Sequence, residues 1–467
     1  MNSNHSAMKS VEKSRLIAKK CPYRPEYHFL APANWMNDPN GPIYYKGEYH
    51  LFYQHNPYGE KWGNIHWGHT KSKDLVYWEH LPIALFPSID KGEAHCFSGC
   101  CVDNNGMQSI IYTSIGLKKS PKTKAEQWLA ISNDDMETWE KYSDNPIMTL
   151  DLHDDLEVRD WRDPYIWWEN NIWYAVLGGH IRKPNRGVVL LYKSQDLINW
   201  EFIHPLLVGE KGTGRNWECP IFFRLGEKYI LIVSPHKRVI YTIGTYENHK
   251  FNHGKWQILD LGYPFYAPNT MLDGDGRRLL WGWIQGGGNG GWNGCLTLPR
   301  VLELSPNNEL KIKPAPELKK LRKNHINLKN IEITPESSDY LTSIINEMNL
   351  EIIAEFEKNN VPSFGLKLID LSNNNKEKNT FLLYYNNKTK NIISGKEKGN
   401  FILEKGERKL KLHIFIDRSV IEVYINYKKC ITSRYYPKNF NSIKIDLFSE
   451  GGNVKLHSID VWNLNSI

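Results

Sequence analysis

The sequence predicts an all-β protein: a five-bladed β-propeller followed by a C-terminal β-sandwich. Three observations lead to this prediction: short strand patterns without a long helical period, a turn motif that recurs at a constant interval, and a change of composition after residue 300. The chain of 467 residues is also longer than one hydrophobic core usually organises. We therefore expect two domains.

The recurring motif is a Ser-x-Asp turn that precedes a tryptophan. It occurs before Trp78, Trp139 and Trp200, at intervals of 61 residues. Radial repetition of small antiparallel sheets is a β-propeller, and about 60 residues per repeat over roughly 280 residues predicts five blades. Between the turns lie strand patterns, namely 49–54, 110–113, 172–177 and 229–233.

The composition changes after Arg300, where Trp becomes rare while Asn and Lys increase. A proline-containing stretch at 313–321 is typical of a linker. Beyond it, the alternating apolar residues Leu410, Leu412, Ile414 and Ile416 predict a strand, followed by a turn at 417–419. We predict domains as follows: a propeller over 22–310, a linker over 311–325 and a β-sandwich over 326–467.

Composition and charge argue against several classes of function. The net charge of +7 is spread along the chain, which argues against nucleic-acid binding. No apolar run has the length of a signal peptide core or a membrane span, so we expect a cytoplasmic protein. The seven cysteines lack the paired spacing of zinc sites, and we expect reduced thiols, no metal and no cofactor. The many Trp and Tyr residues favour sheet cores over sugar stacking.

Three short segments combine a carboxylate with proline and an aromatic residue. They contain Asp38, Asp163 and Glu218. Together with the segments 97–99 and 266–268, one such segment occurs per inferred blade, so we expect all five to converge on one funnel. Each segment alone is also typical of a turn or an ion pair. Their recurrence at blade spacing favours a functional site.

Converging carboxylates are what the cleavage of a glycoside requires. A retaining enzyme places an ionised nucleophile and a protonated acid about 5 to 5.5 Å apart. Hydrogen-bond donors at Asn37 and the nearby backbone favour an ionised Asp38, whereas the poorly hydrating neighbours Trp217 and Cys219 favour a protonated Glu218. The sequence thus favours Asp38 as nucleophile and Glu218 as acid.

The acid-bearing segments resemble those of glycoside hydrolase family 32, which contains invertases, sucrose-6-phosphate hydrolases, levanases and inulinases. Further matching segments are 28–41, 62–69, 281–283 and 416–424. The resemblance implies a retaining β-fructofuranosidase that cleaves the terminal fructose of sucrose or a related small sugar by double displacement at C2.

The same resemblance implies roles for individual residues. Asp38 would attack C2, and Glu218 would protonate the leaving oxygen and then deprotonate water. Asp163 would bind fructose hydroxyls, and Arg162 would orient Asp163 and the sugar. The fructose subsite is expected to be lined by Asn37, Gln54, Trp62, Phe97 and Ser98, with core packing as an alternative for the two aromatic residues.

Several alternatives stay open from the sequence. Sucrose, sucrose 6-phosphate and fructans would use the same acids, and water or a second sugar would accept the fructosyl group. Pro264 stands where many relatives carry an acid, which leaves the leaving-group preference undecided. Outside enzymes, the alternative is a noncatalytic sugar-binding propeller. The oligomeric state is left open.

Overall fold

The computed structural model of the chain shows two compact units. The first contains residues up to Lys20, 30–259 and 266–309, and the second contains 21–29, 260–265 and 310–467. The predicted domain boundaries stay a prediction. The structure describes residues 3–116, 125–288, 290–336, 339–341, 345, 347–372 and 380–467.

The first unit begins with the helix α1 (Ser3–Lys20), which the sequence analysis does not predict. Its buried residues are Ala7, Val11 and Ala18, which share one narrow face, whereas Leu16 and Ile17 are exposed. Because the apolar face is so small, it gives little periodic signal. In the described part of the chain, no helix has both the length and the apolar character needed to cross a membrane.

Antiparallel sheets follow in chain order. Their strands are β1 (Asn34–Tyr45), β2 (Glu48–Asn56), β3 (His66–Ser72), β4 (Glu79–Leu85), β5 (Glu93–Asn104), β6 (Met107–Gly116), β7 (Ala125–Ser132), β8 (Glu140–Lys141), β9 (Val158–Glu169), β10 (Ile172–Ile181), β11 (Arg186–Ser194), β12 (Trp200–Val208), β13 (Glu218–Leu225), β14 (Lys228–Ser234), β15 (Ile240–Glu247), β16 (Lys250–His253) and β17 (Gln257–Ile258). Strands β1–β4, β5–β8, β9–β12 and β13–β16 each pair in sequence, and β17 pairs with β15. The predicted strands lie in β2, β6, β10 and β14 and are confirmed.

The last strands of this unit return to the first sheet. They are β18 (Phe265–Leu272), β19 (Arg278–Gly287), β20 (Trp292–Leu296) and β21 (Arg300–Leu304). Strand β19 pairs with β18, β20 and β21, and β20 runs parallel to the start of β1. Because the beginning and the end of the unit share one sheet, the succession of sheets closes on itself.

The predicted Ser-x-Asp turns connect the third and fourth strands of three sheets. The hydroxyls of Ser72, Ser132 and Ser194 donate to the aspartate two residues further on, at 3.3, 2.8 and 3.1 Å. The same aspartates accept backbone N–H groups within the turn, as an Asx turn does. The repeat in the sequence is therefore a repeated turn, and its prediction is confirmed.

Tryptophans fill the interior of the first unit. Trp67, Trp161, Trp217, Trp281 and Trp292 are less than 2% exposed. These side chains support the expectation that most aromatic residues pack in sheet cores. Two short 3-10 helices, Ile89–Lys91 and Leu150–His153, complete the unit.

The second unit consists of two antiparallel sheets, with the strand orders β23-β33-β24-β29-β30-β31 and β28-β27-β26-β25-β32. Strand β22 (Leu310–Pro314) belongs to neither sheet. The strands of the two sheets are β23 (Arg322–Ile333), β24 (Asn349–Glu357), β25 (Ser363–Asp370), β26 (Thr380–Asn386), β27 (Asn391–Ser394), β28 (Glu397–Asn400), β29 (Lys409–Asp417), β30 (Val420–Ile425), β31 (Lys429–Arg434), β32 (Ile443–Glu450) and β33 (Val454–Leu464). The 3-10 helices are Pro316–Leu321 and Phe440–Ser442.

The strand predicted around Leu412 and its turn at 417–419 are confirmed as β29 and the β29–β30 connection. The predicted alternation of burial is wrong in its second half, because His413 and Phe415 are also buried. His413 lies 2.6 Å from the Glu351 carboxylate, so a polar partner accompanies its burial. All seven cysteines of the chain are free.

Candidate active site

The predicted acids lie on the first strands of three sheets, at points where strand pairing is interrupted, and Ser98 lies at the equivalent point of a fourth. Register shifts occur at 36–39 on β1, 96–99 on β5, 162–165 on β9 and 218–221 on β13. A bulge redirects side chains out of the regular ladder. Asp163 and Cys219 also have positive φ angles of 63° and 44°, a strain that is common at functional sites.

Asp38 lies within reach of four donors. Its Oδ1 accepts the Asn37 amide at 3.0 Å, and its Oδ2 accepts the Ser98 hydroxyl at 2.7 Å and the Gln54 amide at 3.4 Å. The Cys219 Sγ lies 3.5 Å from the same oxygen. Burial raises the pKa of Asp38, Ser98 and Asn37 lower it, and the neighbouring Glu218 raises it, with a net upward shift.

Asp163, like Asp38, lies close to Cys219. The Cys219 backbone N–H donates to Asp163 Oδ2 at 2.9 Å, and the Cys219 Sγ lies 3.6 Å from that oxygen. Burial raises the pKa of Asp163 to about 7; Arg162 opposes the shift and Glu218 adds to it. The structure thus brings both Asp38 and Asp163 close to one thiol, whose own pKa is raised by burial and by both carboxylates.

Glu218 is held by a cation and a phenol. Arg162 Nη2 donates to its Oε1, and the Tyr266 hydroxyl donates to its Oε2 at 2.5 Å. Although burial alone would lower the pKa of Arg162, the carboxylates of Glu218, Asp163 and Asp160 raise it, so the guanidinium stays charged. Burial and the nearby Glu218 raise the pKa of Tyr266, which therefore remains a donor.

The predicted environment of Glu218 is wrong. Trp217 is fully buried and donates to the Thr213 carbonyl, so it does not surround the Glu218 carboxyl with apolar atoms. Neighbouring residues on a strand point to opposite faces, and the spatial neighbours of Glu218 are Arg162, Tyr266 and His236. For Asp38 the predicted donors are present, but burial outweighs them and the pKa shift is upward.

The predicted polar lining forms one hydrogen-bonded chain. The Trp35 indole donates to Asn37 at 2.7 Å, Asn37 donates to Gln54 at 2.8 Å, and Gln54 donates to Ser98 at 2.6 Å. Asn37, Gln54 and Ser98 are all buried. This chain fixes the orientation of the groups that contact Asp38.

The two predicted aromatic residues differ in their environment. Trp62 is 51% exposed, whereas Phe97 is 9% exposed. Their rings meet edge to face at 6.0 Å between centroids. The exposed part of Trp62 is therefore open to a ligand, while the buried Phe97 packs against its ring.

Sequence reasoning missed two neighbours of Glu218. His236 Nε2 lies 3.3 Å from Glu218 Oε1, and its imidazole is 60% exposed. Tyr266 belongs to a segment that the sequence analysis places at the funnel, but its contact with Glu218 is not predicted. His236 follows β14 in a turn without a recognisable motif, so no sequence signal marks it.

Within the described residues, no group of three or more His, Cys, Asp or Glu side chains is arranged to hold a metal ion. The site therefore offers acids, one guanidinium and hydroxyl or amide groups. Such a set can hold sugar hydroxyls and exchange protons with a glycosidic oxygen.

Comparison with protein families identifies the class. The model described as "Glycosyl hydrolases family 32 N-terminal domain" matches residues 28–314, and "Glycosyl hydrolases family 32 C terminal" matches residues 317–463. Together the two models match most of the chain. The protein belongs to glycosyl hydrolase family 32.

Individual relatives are similar over nearly the whole chain. The sucrose-6-phosphate hydrolase of Zymomonas mobilis is 34% identical, with 96% of this chain and 93% of the relative covered. The levanase of Bacillus subtilis is 32% identical, with 95% of this chain and 71% of the relative covered. The protein is thus a glycoside hydrolase of the β-fructofuranosidase type.

Solved structures agree with this identification. A GH32 β-fructofuranosidase of Bombyx mori superposes with a TM-score of 0.84 at 29% identity, covering 99% of this chain and 98% of the other. The fructan 1-exohydrolase IIa of Cichorium intybus gives a TM-score of 0.83 at 27% identity, with coverages of 95% and 98%. The predicted β-propeller followed by a β-sandwich is confirmed, and the number of five blades stays a prediction.

Proposed function

We propose that Asp38 and Glu218 are the nucleophile and the acid/base of a retaining hydrolysis that releases fructose from the β-fructofuranoside end of sucrose or a related sugar. The observation that supports this most directly is the different anchoring of the two carboxyls. Asp38 is oriented by amide and hydroxyl donors, whereas Glu218 is fixed by Arg162 and Tyr266.

In the first step, Asp38 attacks the anomeric carbon and forms a fructosyl ester. Ser98 and Asn37 orient its two oxygens, so one geometry of attack is prepared before substrate binds. Because burial removes water from this carboxylate, its lone pair is less stabilised by solvent than that of a surface aspartate. Covalent catalysis of this kind divides one difficult substitution into two easier ones.

Glu218 provides the proton for the departing oxygen and later takes a proton from the attacking water. Its side chain is 15% exposed, and His236 on its outer side is 60% exposed. This exposure supports a route by which the leaving sugar departs and water enters. Tyr266 and Arg162 keep the carboxyl in one orientation through both steps.

Asp163 binds hydroxyls of the fructose ring rather than exchanging protons with the scissile bond. It is 5% exposed and is oriented by the Cys219 backbone N–H. With a pKa of about 7, raised by its burial, Asp163 can accept or donate hydrogen bonds near neutral pH. Such bonds to a sugar hydroxyl strengthen as positive charge develops on the ring.

The experiment that tests this function is sugar release from sucrose, sucrose 6-phosphate, a short inulin-type oligosaccharide and levan at equal enzyme concentration. Asp38→Asn and Glu218→Gln should lose release from every substrate. The matched controls are Asp135→Asn and Glu157→Gln, which change exposed acids that pair with Lys46 and Arg182. Full activity of both site variants would contradict the catalytic roles of Asp38 and Glu218.

We also propose that sucrose 6-phosphate is a substrate of this site. Sucrose-6-phosphate hydrolases are among the relatives at 34% and 32% identity, and the exposed Lys237 is the next residue after His236, whose Nε2 lies 3.3 Å from Glu218. An exposed cation paired with a phosphate contributes up to about 1 kcal/mol, or about fivefold in rate. Lys237→Gln should reduce kcat/KM for sucrose 6-phosphate by that factor and leave kcat/KM for sucrose unchanged. Lys250→Gln is the control, and an equal loss on both sugars would contradict the proposal.

A further inference from the structure

A large cavity lies at the other ends of the strands that carry the acids. Its volume is about 670 Å³, and its walls include Tyr44, Val102, Trp167, Arg224 and Met271. These residues follow the site residues of β1, β5, β9, β13 and β18 by four to six positions. At about 3.3 Å per residue, these five residues lie roughly 13 to 20 Å along their strands from the site residues. The lining residues nearest to the acids in sequence are Gly41 and Tyr165, three and two positions after Asp38 and Asp163.

The cavity is separate from the active site. Between them lies a void of only about 10 Å³, lined by Pro39, Gly99, Pro164 and Pro220 among others. That volume suits one water molecule. A sugar bound at the carboxylates therefore does not extend into the cavity, and a ligand of the cavity enters from its own mouth.

An arginine without an acidic partner lines this cavity. Arg278 is 8% exposed; its Nη1 donates to the Tyr165 hydroxyl at 3.3 Å, and its guanidinium stacks over Phe223 at 4.6 Å. Among the described residues, its Nε has no hydrogen-bond acceptor and no carboxylate lies within ion-pair distance. Leaving a buried guanidinium N–H unsatisfied is costly, so an anionic ligand would be favoured here.

A second buried polar atom of the cavity wall also lacks a partner. Thr270 is 3% exposed, and its hydroxyl has no hydrogen-bond partner within the described part of the chain. Its backbone N–H already donates to Asn269 at 2.8 Å, so the hydroxyl is the group left for a ligand. A hydroxyl and a guanidinium are both donors that suit a phosphate oxygen.

The two acids of the cavity wall have partners of their own. Glu169 accepts the Tyr229 hydroxyl at 2.7 Å and the Trp167 indole at 3.2 Å. Asp103 accepts the backbone N–H of Gly106 at 2.8 Å and an amide of Gln108 at 3.2 Å. Both carboxylates therefore already accept hydrogen bonds, whereas Arg278 is a buried charge of this wall without a carboxylate partner among the described residues.

We propose that this cavity binds a phosphorylated hexose, with the phosphate on Arg278 and Thr270. The volume exceeds that of a phosphate ion and falls in the range of small-molecule sites. Trp168, which lines the same cavity and is 49% exposed, provides a flat face on which a sugar ring packs. The ligand class is thus set by a buried cation and an exposed aromatic face.

The test is calorimetric titration of the full chain with glucose 6-phosphate while fructose in excess occupies the active site. We expect one binding event that persists in fructose, while glucose alone does not bind. Arg278→Gln should weaken Kd by about tenfold or more, since a charge-assisted hydrogen bond is lost. Arg182→Gln, an exposed arginine of the same unit, should leave Kd unchanged.

A second variant keeps the test valid if Arg278→Gln does not fold. Trp168→Ala removes a half-exposed side chain. It should weaken the binding of glucose 6-phosphate severalfold and leave the binding of inorganic phosphate unchanged. Binding abolished by fructose, or unaffected by both substitutions, would overturn the proposal. Inorganic phosphate binding as tightly as glucose 6-phosphate would overturn the assignment to a sugar.

Discussion

The carboxylates of the two units are buried in different ways. In the second unit, Asp417 is fully buried and accepts the backbone N–H groups of Glu26, Tyr27 and His28 at 2.7, 2.9 and 2.8 Å. It also lies 2.8 Å from the His28 imidazole. In the first unit, Glu218 has a side chain that is 15% exposed, and Asp38 has a raised pKa.

The same difference appears in the titration of other groups. Although burial alone would raise the pKa of Glu351 in the second unit, Arg322 and His413 lower it. Although burial alone would lower the pKa of His28, hydrogen bonds to Asp417 and Glu422 raise it. In the first unit, burial raises the pKa of Asp38 and Asp163 by more than their hydrogen bonds and cationic neighbours lower it. In the second unit, hydrogen bonds and ion pairs offset the cost of burying the carboxylates. At Asp38 and Asp163 they do not offset it fully, and a perturbed pKa of this kind is typical of a functional site.

The largest expected effect is on catalysis at Asp38. Asp38→Asn should lower kcat by about 10⁴-fold or more, because the amide cannot form the fructosyl ester. The free energy of unfolding at neutral pH should stay equal or increase, since a neutral group replaces one whose pKa burial raises. Steady-state kinetics and urea unfolding measure the two effects. A variant that is both inactive and strongly destabilised would place Asp38 with the structural acids.

The opposite pattern is expected at Asp417. Asp417→Asn should lose about 3 to 5 kcal/mol of unfolding free energy, because an amide NH₂ would face backbone donors and His28 would lose its charged partner. Urea unfolding monitored by tryptophan fluorescence measures this. Asp460→Asn, at a partly exposed acid of the same unit, should cost less than about 1 kcal/mol. An equal loss of unfolding free energy in Asp417→Asn and Asp460→Asn would show that the buried Asp417 is no more important for stability than a partly exposed acid.

Asp163 should make the stability of the protein depend on pH. The folded state keeps its proton up to about pH 7, whereas the unfolded chain releases it near the ordinary value of 3.8. The parent should therefore lose stability relative to Asp163→Asn as pH rises from about 4 to 7, by up to about 4 kcal/mol. Urea unfolding across this range tests the sign. A parent that gains stability relative to the variant would contradict the raised pKa.

The smallest expected effect concerns Tyr266. Tyr266→Phe should lower kcat about tenfold and change KM little, because Glu218 loses one of the groups that fix its orientation. Tyr174→Phe, which removes a hydroxyl bonded to His249 instead, is the matched control. A larger effect on KM than on kcat would show that Tyr266 contacts substrate rather than positioning Glu218.

The sequence predicts the elements of the first unit well because its signals are local and repeated. The Ser-x-Asp turns at 72, 132 and 194 are short-range hydrogen-bond motifs, and each lies where it is predicted. The segments around Asp38, Ser98, Asp163 and Glu218 are also predicted to converge, and Ser98 lies 2.7 Å from Asp38. Because the sheets repeat around one axis, segments at equivalent positions of successive sheets lie close together in space.

The surroundings of each acid are less predictable because they depend on side-chain direction and on distant strands. Trp217 adjoins Glu218 in sequence but points into the core, while Arg162 and Tyr266 reach Glu218 from other sheets. His236 lies on a turn without a motif. The helix α1 is missed because its buried face consists of two alanines and one valine. Such features depend on tertiary packing, which no local pattern encodes.

In the proposed reaction, Asp38 becomes covalently attached to fructose while Glu218 transfers the proton. The most direct test is to react Glu218→Gln with a fructoside that carries an activated leaving group and to examine the digested protein by mass spectrometry. Without its acid/base, this variant should accumulate the intermediate, and the peptide containing Asp38 should gain the mass of one fructosyl group. A fructosyl group on another residue, or product formed at a normal rate with no adduct, would show that Asp38 is not the nucleophile.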